Sequence, residues 1–196
     1  MNDKTKNQLT LLALILLFVI PMLLSTVLYR AGWQPHGKDN HGMLVDPPHP
    51  LENFSLEILG KHPFEFNQLK GKWTLLTTVT GDCLKPCQDN LYKIRQVRLS
   101  LAQRMERVQR VLLIKELTAL SNLNQLKQEY EGTFFLTGQT PLTSLLQTLA
   151  DHTTTAADNI YVIDPLGNLV LYYPADAEPK GMIEDLKLLL RLSKIG

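Results

Sequence analysis

Trp73-Thr-Leu-Leu-Thr-Thr-Val-Thr-Gly-Asp-Cys83-Leu-Lys-Pro-Cys87-Gln88 decides the fold. Its first seven residues are apolar or β-branched and read as a buried strand. After it, Leu91, Ile94, Val97, Leu101 and Met105 recur at spacings of three and four, which predicts an amphipathic helix beginning near Cys87. The only two cysteines of the chain lie at the junction. A strand that delivers a cysteine pair to a helix start is how a thioredoxin-like domain places reactive thiols.

The pair is spaced Cys-x-x-x-Cys. Helical residues four apart have Cβ atoms about 5–6 Å apart, whereas a disulfide needs them at about 3.5–4.5 Å. Bonding therefore requires Cys83 to sit on the loop or first turn, where the backbone can adjust. The same spacing suits two thiolates gripping one soft ion, Cu(I) or Zn. A helix N-terminus favours the thiolate that either role needs; Lys85 adds positive charge nearby and Asp82 opposes it. Two structural cysteines closing a small loop is the plainer alternative, and it stays open.

The organisation around this stretch follows from composition. The chain has 196 residues, 20 basic and 19 acidic, for a net charge of +1. No basic stripe with interleaved aromatics points to nucleic acid, and two cysteines are too few for a disulfide scaffold. Residues 1–8 are polar, with Lys4 and Lys6, and are expected in the cytoplasm. Residues 9–29 carry no charge and suffice for a transmembrane helix, which takes about 20 apolar residues; Pro21 is tolerated in such a helix. The apolar run exceeds the about 7–15 residues of a signal-peptide core and no Ala-x-Ala site follows, so an uncleaved anchor is expected. It would hold the remainder in the periplasm, at the inner membrane of a bacterium.

Residues 30–50 read as a flexible linker, with Pro47, Pro48 and Pro50 favouring extended chain. Its histidines His36, His41 and His49 read as part of a plain tether rather than a metal site. Residues 51–196 form the predicted domain. Phe54–Ile58 and Phe64–Phe66 make an N-terminal β-hairpin extension. Strands at 73–79, 108–114 and 133–136 alternate with helices at 87–105, 123–130 and 141–150. A hairpin over 159–173 turns at Asp164-Pro-Leu-Gly167, and a helix over 182–193 closes the chain. That order implies an α/β, thioredoxin-like fold: a mixed sheet flanked by helices. The other face of the helix after Cys87, carrying Lys93, Arg95, Arg98, Arg104 and Arg107, reads as a solvated face.

Phe54-x-Leu56, Leu69-Lys-Gly-Lys-Trp73, the Cys-x-x-x-Cys and Tyr161-Val-Ile-Asp164-Pro-x-Gly167 together resemble the Sco/SenC proteins. Those are membrane-anchored, thioredoxin-fold proteins that assist assembly of the copper centre of cytochrome c oxidase. The resemblance runs from about Leu51 to the C-terminus. It implies that Cys83 and Cys87 are the family's thiolate pair, able to hold Cu(I) with one histidine or to act as a thiol reductant. It also implies a partner: the copper-bearing oxidase subunit or another copper or thiol assembly protein. The chain departs from the family pattern twice. Gln88 stands where a Pro usually follows the second Cys, and Ala156 occupies the histidine position. His152, followed by Thr153, is the nearest candidate third ligand, four residues early.

Three functions compete: copper delivery at Cys83 and Cys87; thiol–disulfide exchange, general to the periplasm or aimed at an oxidase subunit; and a tethered scaffold with a static disulfide. In exchange, Cys83 precedes the helix and is expected to be the attacking thiol, with Cys87 resolving the mixed disulfide. A peroxidase is not supported, because Thr80-Gly-Asp-Cys83 supplies only the Thr of the Pro-preceded Thr/Ser-x-x-Cys such enzymes use.

Overall fold

The computed structural model describes residues 3–31, 40–59, 62–138, 140–151 and 158–195. Residues 1–39 and 40–196 are two compact units. The first holds one helix, α1 (Asp3–Arg30), which continues through Pro21. Within its Lys6–Arg30 portion an 18-residue stretch has a mean hydropathy of 2.8 with no buried side chain, long and apolar enough to cross a membrane.

The second unit is built on an eight-stranded sheet in the order β1-β8-β7-β4-β5-β6-β2-β3. In chain order the strands are β1 (Met43–Pro50), β2 (Ser55–Ile58), β3 (Pro63–Glu65), β4 (Trp73–Val79), β5 (Val108–Ile114), β6 (Thr133–Thr137), β7 (Ile160–Ile163) and β8 (Asn168–Tyr173). The helices are α2 (Lys85–Ser100), α3 (Leu123–Glu129), α4 (Thr140–Asp151) and α5 (Pro179–Leu192). Strand β5 lies parallel to β4 and β6, and β7 runs antiparallel to β4. The expected mixed α/β sheet of thioredoxin type is therefore present.

Successive residues of β4 and β5 point to opposite faces, and both faces are covered. Leu75 and Leu112 pack with Leu91, Ile94 and Leu186 of α2 and α5. Leu76 and Leu113 pack with Leu142, Leu145 and Leu149 of α4. Burial on both sides is why these strands read as near-continuous apolar runs rather than alternating ones. The β2–β3 hairpin adds to the β6 side of the sheet. In the β7–β8 turn, Asp164 accepts the backbone N–H groups of Leu166 and Asn168 at 2.9 and 2.8 Å. Gly167 there has φ +95°, and a Cβ on it would stand 2.3 Å from the Phe66 ring, so this position excludes a side chain.

One expectation is corrected. Residues 43–50 are not flexible linker but strand β1, paired antiparallel with β8 at the sheet edge. Prolines fit an edge strand, where a missing N–H takes no ladder bond away. The ladder is irregular between Leu44 and His49, where Pro47 and Pro48 lie. A clasp holds the start of this strand. The buried carboxylate of Asp185 on α5 accepts the N–H of Gly42 (3.0 Å), the N–H of His41 (3.3 Å) and the hydroxyl of Tyr173 (3.0 Å). His41 also meets Glu184, Nε2 to Oε2 3.2 Å.

Burial, followed by the charge and hydrogen bond of Asp185, pushes the Tyr173 phenol far above its ordinary range. A group whose folded pKa exceeds its unfolded value, about 10 for Tyr, contributes stability that is fully present below that pH and lost above it. Tyr130, pushed up to about 12 by burial and by Glu129, has the same sign. The melting temperature is therefore expected to fall as pH rises beyond about 10. In Tyr173→Phe it should start lower, for want of the clasp bond, and decline less steeply. Parallel slopes in thermal melts across pH 8–11.5 would contradict this.

The basic side of α2 is only partly a solvated face. Arg98 donates through Nε to the Val108 carbonyl at 2.7 Å, and Lys93 donates to the Ala175 carbonyl. Arg107 donates to the carbonyls of Leu190, Ser193 and Ile195 at 2.7, 3.0 and 2.9 Å. Arg107 thus satisfies orphan carbonyls at the end of α5, Arg98 tethers the start of β5, and Lys93 tethers the segment between β8 and α5.

Candidate functional site

Strand β4 ends at Val79, and five residues later Leu84 caps α2 in an extended conformation, with Pro86 in the first helical turn. Proline suits that position because its missing N–H has no helical partner there. Cys83 thus precedes the helix and Cys87 is its third residue, the arrangement that bonding at this spacing requires. The two are joined in a disulfide, with Cα atoms 5.2 Å apart. The Cys83 carbonyl accepts Gln88 Nε2 at 2.8 Å and Asn122 Nδ2 at 3.5 Å. Gln88, where the resemblance leads one to expect proline, therefore fastens the first cysteine's backbone to the helix.

Both cysteines are buried, at 1% and 3% exposure, whereas Leu84 between them is 65% exposed. A cleft of about 310 Å³ reaches the pair on its Cys87 side; Thr78, Thr80, Asp82, Leu84, Pro86, Cys87 and Asp158 contribute to its walls. Two of the charges nearby are already engaged. Lys85 Nζ lies 2.7 Å from Asp89, and Asp82 accepts the N–H and hydroxyl of Ser121 at 3.2 and 3.1 Å.

A polar network lies on the buried side of α2. Asn90 Nδ2 donates to the Asp158 carbonyl at 2.7 Å and to Thr77 Oγ1 at 3.3 Å, and Thr77 donates to the Asn159 carbonyl at 3.2 Å. Asp158 has φ +59°, the left-handed region that Asp tolerates better than most residues. The network binds the chain just before β7 to the helix that carries Cys87. Sequence reasoning missed it, although a signal existed: Asn90 stands three residues after Cys87, on the stripe of Leu91, Ile94 and Val97.

His152 and Ala156 lie outside the described residues, so the expected third ligand has no observed position; the segment rejoins the described chain at Asp158, on the cleft wall. His36 also lies outside them. Of the other linker histidines, His41 is engaged with Glu184 and His49 sits in β1 opposite Leu169. Among the described residues, no three His, Cys, Asp or Glu side chains gather as a metal site would need.

The family described as transmembrane-like, thioredoxin-like, C-terminal domain matches residues 73–193. No curated protein matches the sequence. Several solved structures share the fold. Apo Sco1 from Thermus thermophilus is 19% identical with a TM-score of 0.64, covering 78% of this chain and 99% of its own. Copper-bound ScoI from Bradyrhizobium japonicum is 18% identical with a TM-score of 0.57, covering 71% and 98%. BsSco, described as a cytochrome c oxidase assembly protein with a disulfide switch, is 14% identical with a TM-score of 0.58, covering 75% and 96%. The strand–cysteine loop–helix unit, the sheet around it and the match over more than half its length lead to one conclusion: this chain belongs to the transmembrane-like, thioredoxin-like C-terminal domain family, and its second unit has the Sco-like form of that fold.

Proposed function

We propose that the chain is a membrane-tethered thiol–disulfide exchange protein that serves assembly of a respiratory copper oxidase. The observation that carries this reading is the Cys83–Cys87 disulfide at the start of α2, bordered by an open cleft. In the reduced protein, the Cys83 thiolate attacks a partner disulfide and one partner sulfur leaves as a thiol. Cys87 then attacks the mixed disulfide, releasing the second partner thiol and closing the bond seen here. Two electrons pass to the partner, and a dithiol donor of the same compartment restores them. Lys4 and Lys6, ahead of the apolar run of α1, favour a cytoplasmic N-terminus, which puts the exchange domain in the periplasm of a bacterium. The proposed partner is the oxidase subunit that receives copper, whose cysteines must be reduced before metal enters.

A second reading, Cu(I) as cargo on the reduced pair, draws on the soft donor set. Two thiolates freed by reduction suit Cu(I), and His152 is the proposed third ligand. The full chain in detergent, equilibrated with glutathione buffers and then titrated with Cu(I) against a competing chelator, separates the readings. Exchange predicts a reversible two-electron equilibrium, and an irreducible pair would overturn it. Cargo predicts one tight Cu(I) in the reduced chain alone, lost in Cys83→Ser and Cys87→Ser and weakened in His152→Ala. Reversible reduction without tight copper would leave exchange as the sole activity.

A further inference from the structure

Asn90 carries an unsatisfied group. Its Nδ2 is spent on Asp158 and Thr77, while its Oδ1 is buried with no hydrogen-bond partner. A buried acceptor left unpaired is costly and calls for an explanation. Three points set Asn90 beside the helical turn that holds Cys87. Asn90 follows Cys87 by one helical turn, and residues three apart on a helix are neighbours on its surface. Helical side chains lean toward the N-terminus, so the amide leans back over the turn holding Cys87. The partner of its nitrogen, Asp158, borders the same cleft as Cys87.

A disulfide has no hydrogen to donate, so in the oxidised protein the oxygen must stay unpaired. Reduction changes that. The S–S bond takes up two electrons and two protons from a dithiol, which becomes a disulfide, and each sulfur becomes an S–H donor. We propose that Asn90 is a redox-discriminating residue, whose Oδ1 accepts the S–H of Cys87 in the reduced protein and has no partner in the oxidised one. The bond stabilises the reduced form only, and the unpaired oxygen burdens the oxidised form only. Both effects make the pair a stronger oxidant than the same loop would be without Asn90. With the Cys87 hydrogen held by Asn90, Cys83 is left as the freer sulfur for attack. This inference rests on the exchange reading, since it needs a pair that is reduced and reoxidised.

The test is the glutathione equilibrium of the full chain in detergent at pH 7, for the natural protein, Asn90→Leu and Thr77→Val. Asn90→Leu removes the acceptor, and its equilibrium should shift about tenfold toward the disulfide, about 30 mV. Thr77→Val disturbs the same network but keeps Oδ1; it should lower the melting temperature and leave the equilibrium in place. A purely structural Asn90 would weaken both redox forms alike, so an unchanged equilibrium in Asn90→Leu, or an equal shift in Thr77→Val, overturns the inference and leaves exchange standing. A natural pair that glutathione cannot reduce overturns both. Should Asn90→Leu fail to fold, the infrared S–H band of Cys83→Ser decides. Cys87 is then the only thiol, and its band should lie at hydrogen-bonded frequency; a free-thiol band overturns the inference.

Discussion

Replacing Cys83 or Cys87 by serine is expected to reduce disulfide exchange to the rate seen without protein, and the two variants should fail differently. A serine hydroxyl cannot take the place of a thiolate, the species that attacks a disulfide. In Cys87→Ser the attacking sulfur survives and the resolving one is gone, so a mixed disulfide with a disulfide-bearing peptide should accumulate on Cys83. In Cys83→Ser the remaining sulfur is Cys87, which lies inside α2 and is assigned the resolving step, and no such adduct should build up. Non-reducing electrophoresis with mass mapping reads both outcomes. Adducts on Cys87 alone would reverse the assigned roles. Stability supplies the contrast with a static scaffold. Opening a loop this short removes about 2 kcal/mol on chain-entropy grounds, about 4–8 °C in melting temperature for a domain of this size. A scaffold would show that loss with oxidase assembly intact; the proposed function requires assembly to fail even at temperatures where the variants are fully folded.

The centre of the fold was legible in the sequence because its signals are local. Buried strands β4 and β5 announce themselves by apolar, β-branched runs, and α2 by its apolar stripe from Leu91 to Val97. The β7–β8 turn needs Gly167 for a left-handed backbone, a demand that Asp164-Pro-Leu-Gly167 displays openly. What escaped depended on partners distant in the chain. Strand β1 has three prolines in eight residues and no alternation, so it reads as tether. Only pairing with β8 and the grip of Asp185, 143 residues beyond Gly42, make it a strand. Arg107 looked like a solvated cation for the same reason, since the carbonyls it caps lie on and beyond the end of α5. At the site, the cysteine spacing revealed the pair and its need for a loop position. The polar network did not show, because a single Asn in an apolar stripe gains its meaning from Thr77 and Asp158.

Asp185→Ala is expected to cost more stability than opening the disulfide. Asp185 is 6% exposed and its carboxylate gathers three donors from two distant parts of the chain. Removing it leaves the Gly42 N–H and the Tyr173 hydroxyl buried without acceptors, at about 1–3 kcal/mol for each, for a loss of about 3–5 kcal/mol. The backbone around the clasp has little room to shift at its two glycines, although a cleft lined by His41, Tyr173 and Glu184 opens beside it. A Cβ on Gly42 would stand 2.7 Å from the Tyr173 ring, and one on Gly181 would stand 2.6 Å from His41. The melting temperature should therefore fall by about 10 °C, at about 2–4 °C per kcal/mol for a domain of this size. Asp185→Asn keeps the shape and one acceptor oxygen, and should lose about half as much. The damage should be directional. With its clasp gone, β1 is held only by its irregular ladder to β8, so amide hydrogens of residues 43–50 should exchange at least tenfold faster than those of β4 and β5. The chain would then behave as its composition suggests, a tether running to Leu51. No residue of β1 borders the cleft at Cys87, so exchange at the cysteine pair should persist at temperatures where the variant stays folded. Loss of protection spread evenly over the sheet would show instead that Asp185 supports the whole unit rather than its first strand.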